Sequence, residues 1–99
     1  MTLSFERFMG SLDGDDPPSD ATAPIEALWW DAKGQWDKAH GCVNSAEDPD
    51  GMRVHAYLHR KEGDLNNAGY WYRRAGHSVP SIALDQERQA LLGDLLKSR

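Results

Sequence analysis

The chain has 99 residues with sixteen acidic and eleven basic side chains, a net charge of −5, and a length that suits one domain. That balance argues against general nucleic-acid binding, and no apolar run approaches the roughly 20 residues that span a bilayer. Cys42 is the only cysteine, which excludes a disulfide within the chain; with no basic leader ahead of an apolar stretch, no signal peptide is expected and a reducing, cytoplasmic setting follows. The charge is uneven. Residues 1–50 hold eleven acids against three bases, and residues 51–99 hold five against eight, so a basic second half follows an acidic first half.

Leu3, Phe5, Phe8 and Met9 form a short apolar cluster, read equally well as a frayed helix that docks on the domain or as a disordered start. Residues 10–24 are rich in Gly, Ser, Asp and Pro with few apolar side chains, too few to offset their ordering entropy. Residues 1–23 are therefore expected to be a flexible acidic segment, and residues 24–99 the folded domain. Pro24 suits the first turn of a helix running to about Lys33, with Ile25, Leu28, Trp29 and Ala32 available for burial. Gly34 breaks it. A second helix is expected over about 35–45, with Trp36, Ala39, Cys42, Val43 and Ala46 on one side.

The stretch Glu47-Asp48-Pro49-Asp50-Gly51 is a turn signal. A third helix follows over about 51–62 and ends at Gly63. Asp64 is suited to cap the next, about 65–75, because its carboxylate can accept from free backbone N–H groups. Gly76 suits a left-handed stop. A last helix is expected over about 82–97, with Leu84, Leu91, Leu92, Leu95 and Leu96. No strand pattern occurs, so the expected fold is all-α: two antiparallel helical hairpins and a C-terminal capping helix.

A shift of 29 residues aligns the hairpins. Trp36, Ala39, Val43 and Ala46 then fall on Leu65, Ala68, Tyr72 and Ala75, and Gly34 falls on Gly63. Small residues at 39 and 68 let paired helices approach closely. The pattern Gly-x-Leu-x-x-Ala-x-x-x-Tyr-x-x-Ala over 63–75, with Trp71-Tyr72-Arg73-Arg74-Ala75, resembles tetratricopeptide-type helical repeats, including the Sel1-like kind. The runs 55–64 and 70–76 are also similar to a group of small bacterial proteins, a resemblance that implies no activity. The spacing is shorter than the ~34 residues of a standard unit, so a compact bundle is expected rather than a superhelix.

Two sets of side chains are candidates for a site. Arg53, Tyr57, Arg60 and Asp64 form a stripe on the third helix, flanked by Lys61, and this is the helix that lines the concave face in proteins of the resembled kind. By that resemblance the stripe would line a basic groove for an extended acidic peptide or a carboxylate, which an Arg fork grips with two parallel hydrogen bonds. The function this implies is a non-catalytic protein-interaction module. Trp30, Tyr70 and Trp71 are expected at an interface, since adjacent aromatics on a helix cannot share one face. Docking of Leu3, Phe5 and Phe8 in a neighbour's groove would give self-association, as in a homodimer, or autoinhibition.

His55 and His59 are four apart and share a face, a spacing at which neutral imidazoles chelate zinc, copper or nickel. They are expected to form a polar seam between helices, with no cofactor. The alternative is a divalent metal site or a small metal-dependent enzyme assisted by Glu62, Asp64 or His77. That alternative needs a third ligand, and His40 or His77 would have to reach it by folding. No Ser-His-Asp order, phosphate loop or cofactor fingerprint is present.

Overall fold

A computed structural model describes residues 3–97; Met1, Thr2, Ser98 and Arg99 lie outside the described residues. Among the described residues the chain is all-helical and without strands. The helices are α1 (Phe5–Ser11), α2 (Ala23–Ala32), α3 (Trp36–Val43), α4 (Pro49–Glu62), α5 (Leu65–Arg74) and α6 (Leu84–Lys97). None of them is long and apolar enough to cross a membrane.

The hairpins α2–α3 and α4–α5 pack side by side, with α4 central against α2, α3, α5 and α6. Both hairpin turns close in the same way. Gln35 N–H donates to Trp30 O at 2.9 Å and Asp64 N–H to His59 O at 3.0 Å, two bonds that stand 29 residues apart. Between them Gly34 and Gly63 adopt φ of 77° and 91°, a left-handed conformation in which a Cβ is strained. No heavy atom lies within 4 Å of a Cβ built on Gly63, so Gly63→Ala tests strain alone. It is expected to cost about 1–2 kcal/mol, read as a lower midpoint in thermal unfolding followed by circular dichroism. An unchanged midpoint would mean the turn relaxes without cost.

Two helix starts differ from the sequence reading, and each has a local cause. α4 begins at Pro49, because Asp48 accepts from Gly51 N–H at 2.9 Å and Pro49 occupies the first turn, where its missing N–H costs nothing. The acidic turn is thus also the cap of α4. α6 begins at Leu84 rather than 82, because Ala83 N–H is held by Gln86 Oε1 at 3.1 Å and Ile82 O accepts from Arg60.

The main core joins Ile25, Leu28 and Trp29 of α2, Val43 of α3, Val54, Tyr57 and Leu58 of α4, and Leu91, Leu92 and Leu95 of α6. Leu3 and Phe8 belong to the same core, at 3% and 2% exposure. Of the two readings of the apolar start, the structure thus has the docked helix. Leu12 and Ala21 of the segment that follows pack against this core, and polar bonds tie α1 and that segment down further. Arg7 makes a two-pronged pair with Asp20 (2.9 and 3.2 Å), Lys33 Nζ donates to Leu12 O and Gly14 O, and Trp29 Nε1–H donates to Ser11 Oγ at 2.9 Å. A smaller cluster, Ala56, Ala68 and Tyr72 with Trp71 against it, holds α5 to α4.

Candidate metal centre

α4 carries His55 and His59 one turn apart, both buried, and the crossing of α3 brings His40 against them. One donor atom from each of the three imidazoles lies within 4.8 Å of the other two. His40 Nε2 and His55 Nε2 are 3.1 Å apart. Two nitrogens bound at about 2.0–2.1 Å to one tetrahedral ion lie roughly 3.3 Å apart, so this pair already has nearly the spacing a zinc-class ion needs.

The ring of His59 is oriented by an acidic neighbour. Glu62 Oε2 stands 2.7 Å from Nδ1, and a carboxylate only accepts, so Nδ1 carries a proton and Nε2 is the nitrogen left to serve as a ligand. A carboxylate behind a histidine is the arrangement that fixes tautomer and raises basicity in metal-bound imidazoles. Asn67 Nδ2 occupies the Nε2 side at 3.3 Å, a long bond that an ion would displace readily.

Aromatic walls close the sides. Trp36 stacks on His40 with centroids 4.8 Å apart and planes within 10°, and its own Nε1–H is anchored on Leu58 O. Trp71 stacks on His55 at 4.1 Å, and Arg74 lies over Trp71. Burial between these rings and the neighbouring imidazoles pushes the His55 pKa down to about 4, with desolvation the larger cause and His59 and His40 adding to it. His40, half-buried, is lowered for the same reasons. Both rings are therefore neutral at pH 7, as metal ligation requires. Nδ1 of His55 is buried with no hydrogen-bond partner among the described residues. An orphan of that kind costs about 1–3 kcal/mol, and a leucine there would avoid it.

The basic stripe has a different setting. Arg53 pairs with Asp94 of α6 at 3.0 Å. Tyr57 O–H donates to the buried Asp31 at 2.7 Å, and Lys61 Nζ donates to the other oxygen of that carboxylate at 2.6 Å. Arg60 pairs with the buried Glu87 at 2.7 Å and also donates to Ile82 O, while Tyr72 O–H donates to the second oxygen of Glu87. All four residues of the expected groove thus have acceptors within the chain. Asp31 and Glu87 are the polar residues that the sequence reading missed as partners. A signal for both existed: Asp31 continues the apolar stripe Ile25–Leu28, and Glu87 interrupts the stripe Leu84–Leu91.

The other sequence candidates are spread over the surface. Trp30 and Trp71 are half-buried and Tyr70 is exposed, with Lys38 over the Trp30 ring and Arg74 beside Tyr70. Glu62 and Asp64, both exposed, group with the buried His59 as a second donor set, in which Asp64 also caps α5 by accepting from Asn67 N–H. His77 is exposed beyond the end of α5, outside the trio. Cys42 is half-buried, its thiol directed to Lys38 O and Glu26, and burial together with the Glu26 charge pushes its pKa up to about 11. It does not join the histidines. No protein-family model, curated protein or solved structure matches the chain.

Proposed function

We propose that this chain is a metal-binding helical protein in which His40, His55 and His59 hold one zinc-class divalent ion. The observation that carries the reading is the convergence of three imidazole donor atoms within 4.8 Å, one of them already oriented by Glu62. Three neutral nitrogen ligands suit Zn²⁺, Co²⁺, Ni²⁺ or Cu²⁺ and disfavour Mg²⁺ and Ca²⁺, which prefer oxygen. Three protein ligands also leave a tetrahedral ion one position for water or a small anion. His40, the least buried of the three, is the side from which that position would be reached.

The alternative, capture of an acidic peptide by Arg53, Tyr57, Arg60 and Lys61, would require a guest to displace Asp94, Asp31 and Glu87. The latter two are buried beneath their partners, which weighs the balance toward the metal.

The test is calorimetric titration of zinc into protein purified without a histidine tag, beside His40→Ala and His59→Ala. One equivalent should bind the parent chain, and each variant should lose tight binding. Glu62→Gln should keep the stoichiometry while weakening affinity about 10–100-fold, the usual cost of losing such a carboxylate. Substoichiometric binding by the parent chain, or equal binding by the variants, would remove the proposal.

A further inference from the structure

Away from the histidines, a cavity of about 220 Å³ opens between α1, α2 and α6. Phe8, Leu28 and Leu92 form its buried apolar floor. Phe5 and Met9, 52% and 46% exposed, stand at its rim. Arg88 of α6 lines the same cavity and lacks the close carboxylate that three other arginines of the bundle hold. Arg7, Arg53 and Arg60 each hold a carboxylate at 3.0 Å or less. The guanidinium of Arg88 comes no nearer than 3.8 Å to Asp85, beyond hydrogen-bond length, and Asp85 is a strongly exposed residue.

An apolar cavity of about 150 Å³ accepts a benzene ring, so this one has room for a ring or short chain of slightly greater size. Pockets of this kind combine an apolar body with one or two polar groups that fix orientation. A guanidinium with unfilled donors beside such a body selects a carboxylate, which it can grip in two parallel bonds.

We infer that the cavity between α1, α2 and α6 is a binding site for a small free carboxylic acid with an apolar tail of roughly six to eight carbons, the carboxylate on Arg88 and the tail over Phe8, Leu28 and Leu92. The site is separate from the histidine trio and stands or falls without it.

Sodium octanoate is the probe, followed by heteronuclear NMR titration of the full chain, with 1-octanol as the uncharged control. Saturable shifts should centre on Phe8, Leu28, Arg88 and Leu92. Octanol should bind about tenfold or more weakly, the worth of a hydrogen bond to a charged group. Arg88→Gln should bring octanoate down to the level of octanol. Ala32→Phe, a substitution at an exposed position on the cavity wall, should block both without disturbing the fold. No saturable shift at millimolar octanoate would overturn the inference. So would equal binding of acid and alcohol that Arg88→Gln leaves unchanged. Sedimentation of a dimer that Ala32→Phe dissociates, with no response to octanoate, would assign the cavity to a second copy of the chain instead.

Discussion

Glu87→Ala is expected to destabilise the fold by about 3–5 kcal/mol, the range for removing one partner of a buried ion pair. Both oxygens of this carboxylate are committed, one to Arg60 and one to Tyr72, and the side chain is 2% exposed. Its loss leaves the Tyr72 hydroxyl buried without an acceptor, and leaves Arg60, 17% exposed, held only by Ile82 O. A domain of this size has a total stability of roughly 5–15 kcal/mol, so the variant should sit near the edge of folding. Asp31→Ala should cost less, although Asp31 is as deeply buried. Its cation, Lys61, has a side chain 37% exposed and can turn its ammonium to water, so the main residue of damage is the orphaned Tyr57 hydroxyl. Urea unfolding of both variants checks the order. Equal losses, or a Glu87 variant within 1 kcal/mol of the parent by the rough yardstick for surface changes, would show that the pair is not the tie between α6 and the hairpins.

How much of this was legible beforehand differs from one residue to another, for physical reasons. The hairpins were legible because Gly34 and Gly63 punctuate two runs of 3.6-residue periodicity, a purely local signal. The starts of α4 and α6 were misplaced by about two residues, because caps from Asp48 and Gln86 override the apparent turn and the apolar run. His55 and His59 were legible as a pair because helical spacing alone puts them on one face. The third member was not. Whether His40 or His77 arrives depends on how α3 crosses α4, and no spacing within either helix encodes that crossing. The basic stripe shows the reverse case. Arg53, Tyr57, Arg60 and Lys61 do share a region of α4, but their partners come from α2 and α6, so periodicity gave the positions and packing gave the occupants. The docking of α1 was undecided for a related reason. Leu3 and Phe8 enter the core, but the docking is shared with the Trp29–Ser11 and Lys33 bonds, which no local pattern announces.

The buried His55 makes a second large effect, in the pH dependence of the metal-free protein. Its folded-state pKa lies at about 4 against an ordinary value of 6.5. Above pH 6.5 the ring is neutral in both states and titration contributes nothing. As pH falls below 6.5 the unfolded chain takes up a proton that the folded chain refuses, so stability declines with acidification until the folded ring itself protonates near pH 4. The full loss across that window is about 3 kcal/mol, from roughly 1.4 kcal/mol per pH unit. Asp20, whose carboxyl is lowered by its hydrogen bond with Arg7, also titrates in acid, so the curve of the parent chain alone does not isolate the histidine. His55→Leu does. It removes the titrating ring and its unpartnered Nδ1, fills a site beside Trp71, and leaves the carboxylates in place. In chelator-treated samples the stability of the leucine variant relative to the parent should rise by about 2–3 kcal/mol between pH 7.5 and pH 4.5, by that same linkage. Parallel stability curves from pH 7.5 to 4.5 would show that His55 protonates as readily folded as unfolded, and that the imidazoles stand in water rather than between Trp36 and Trp71.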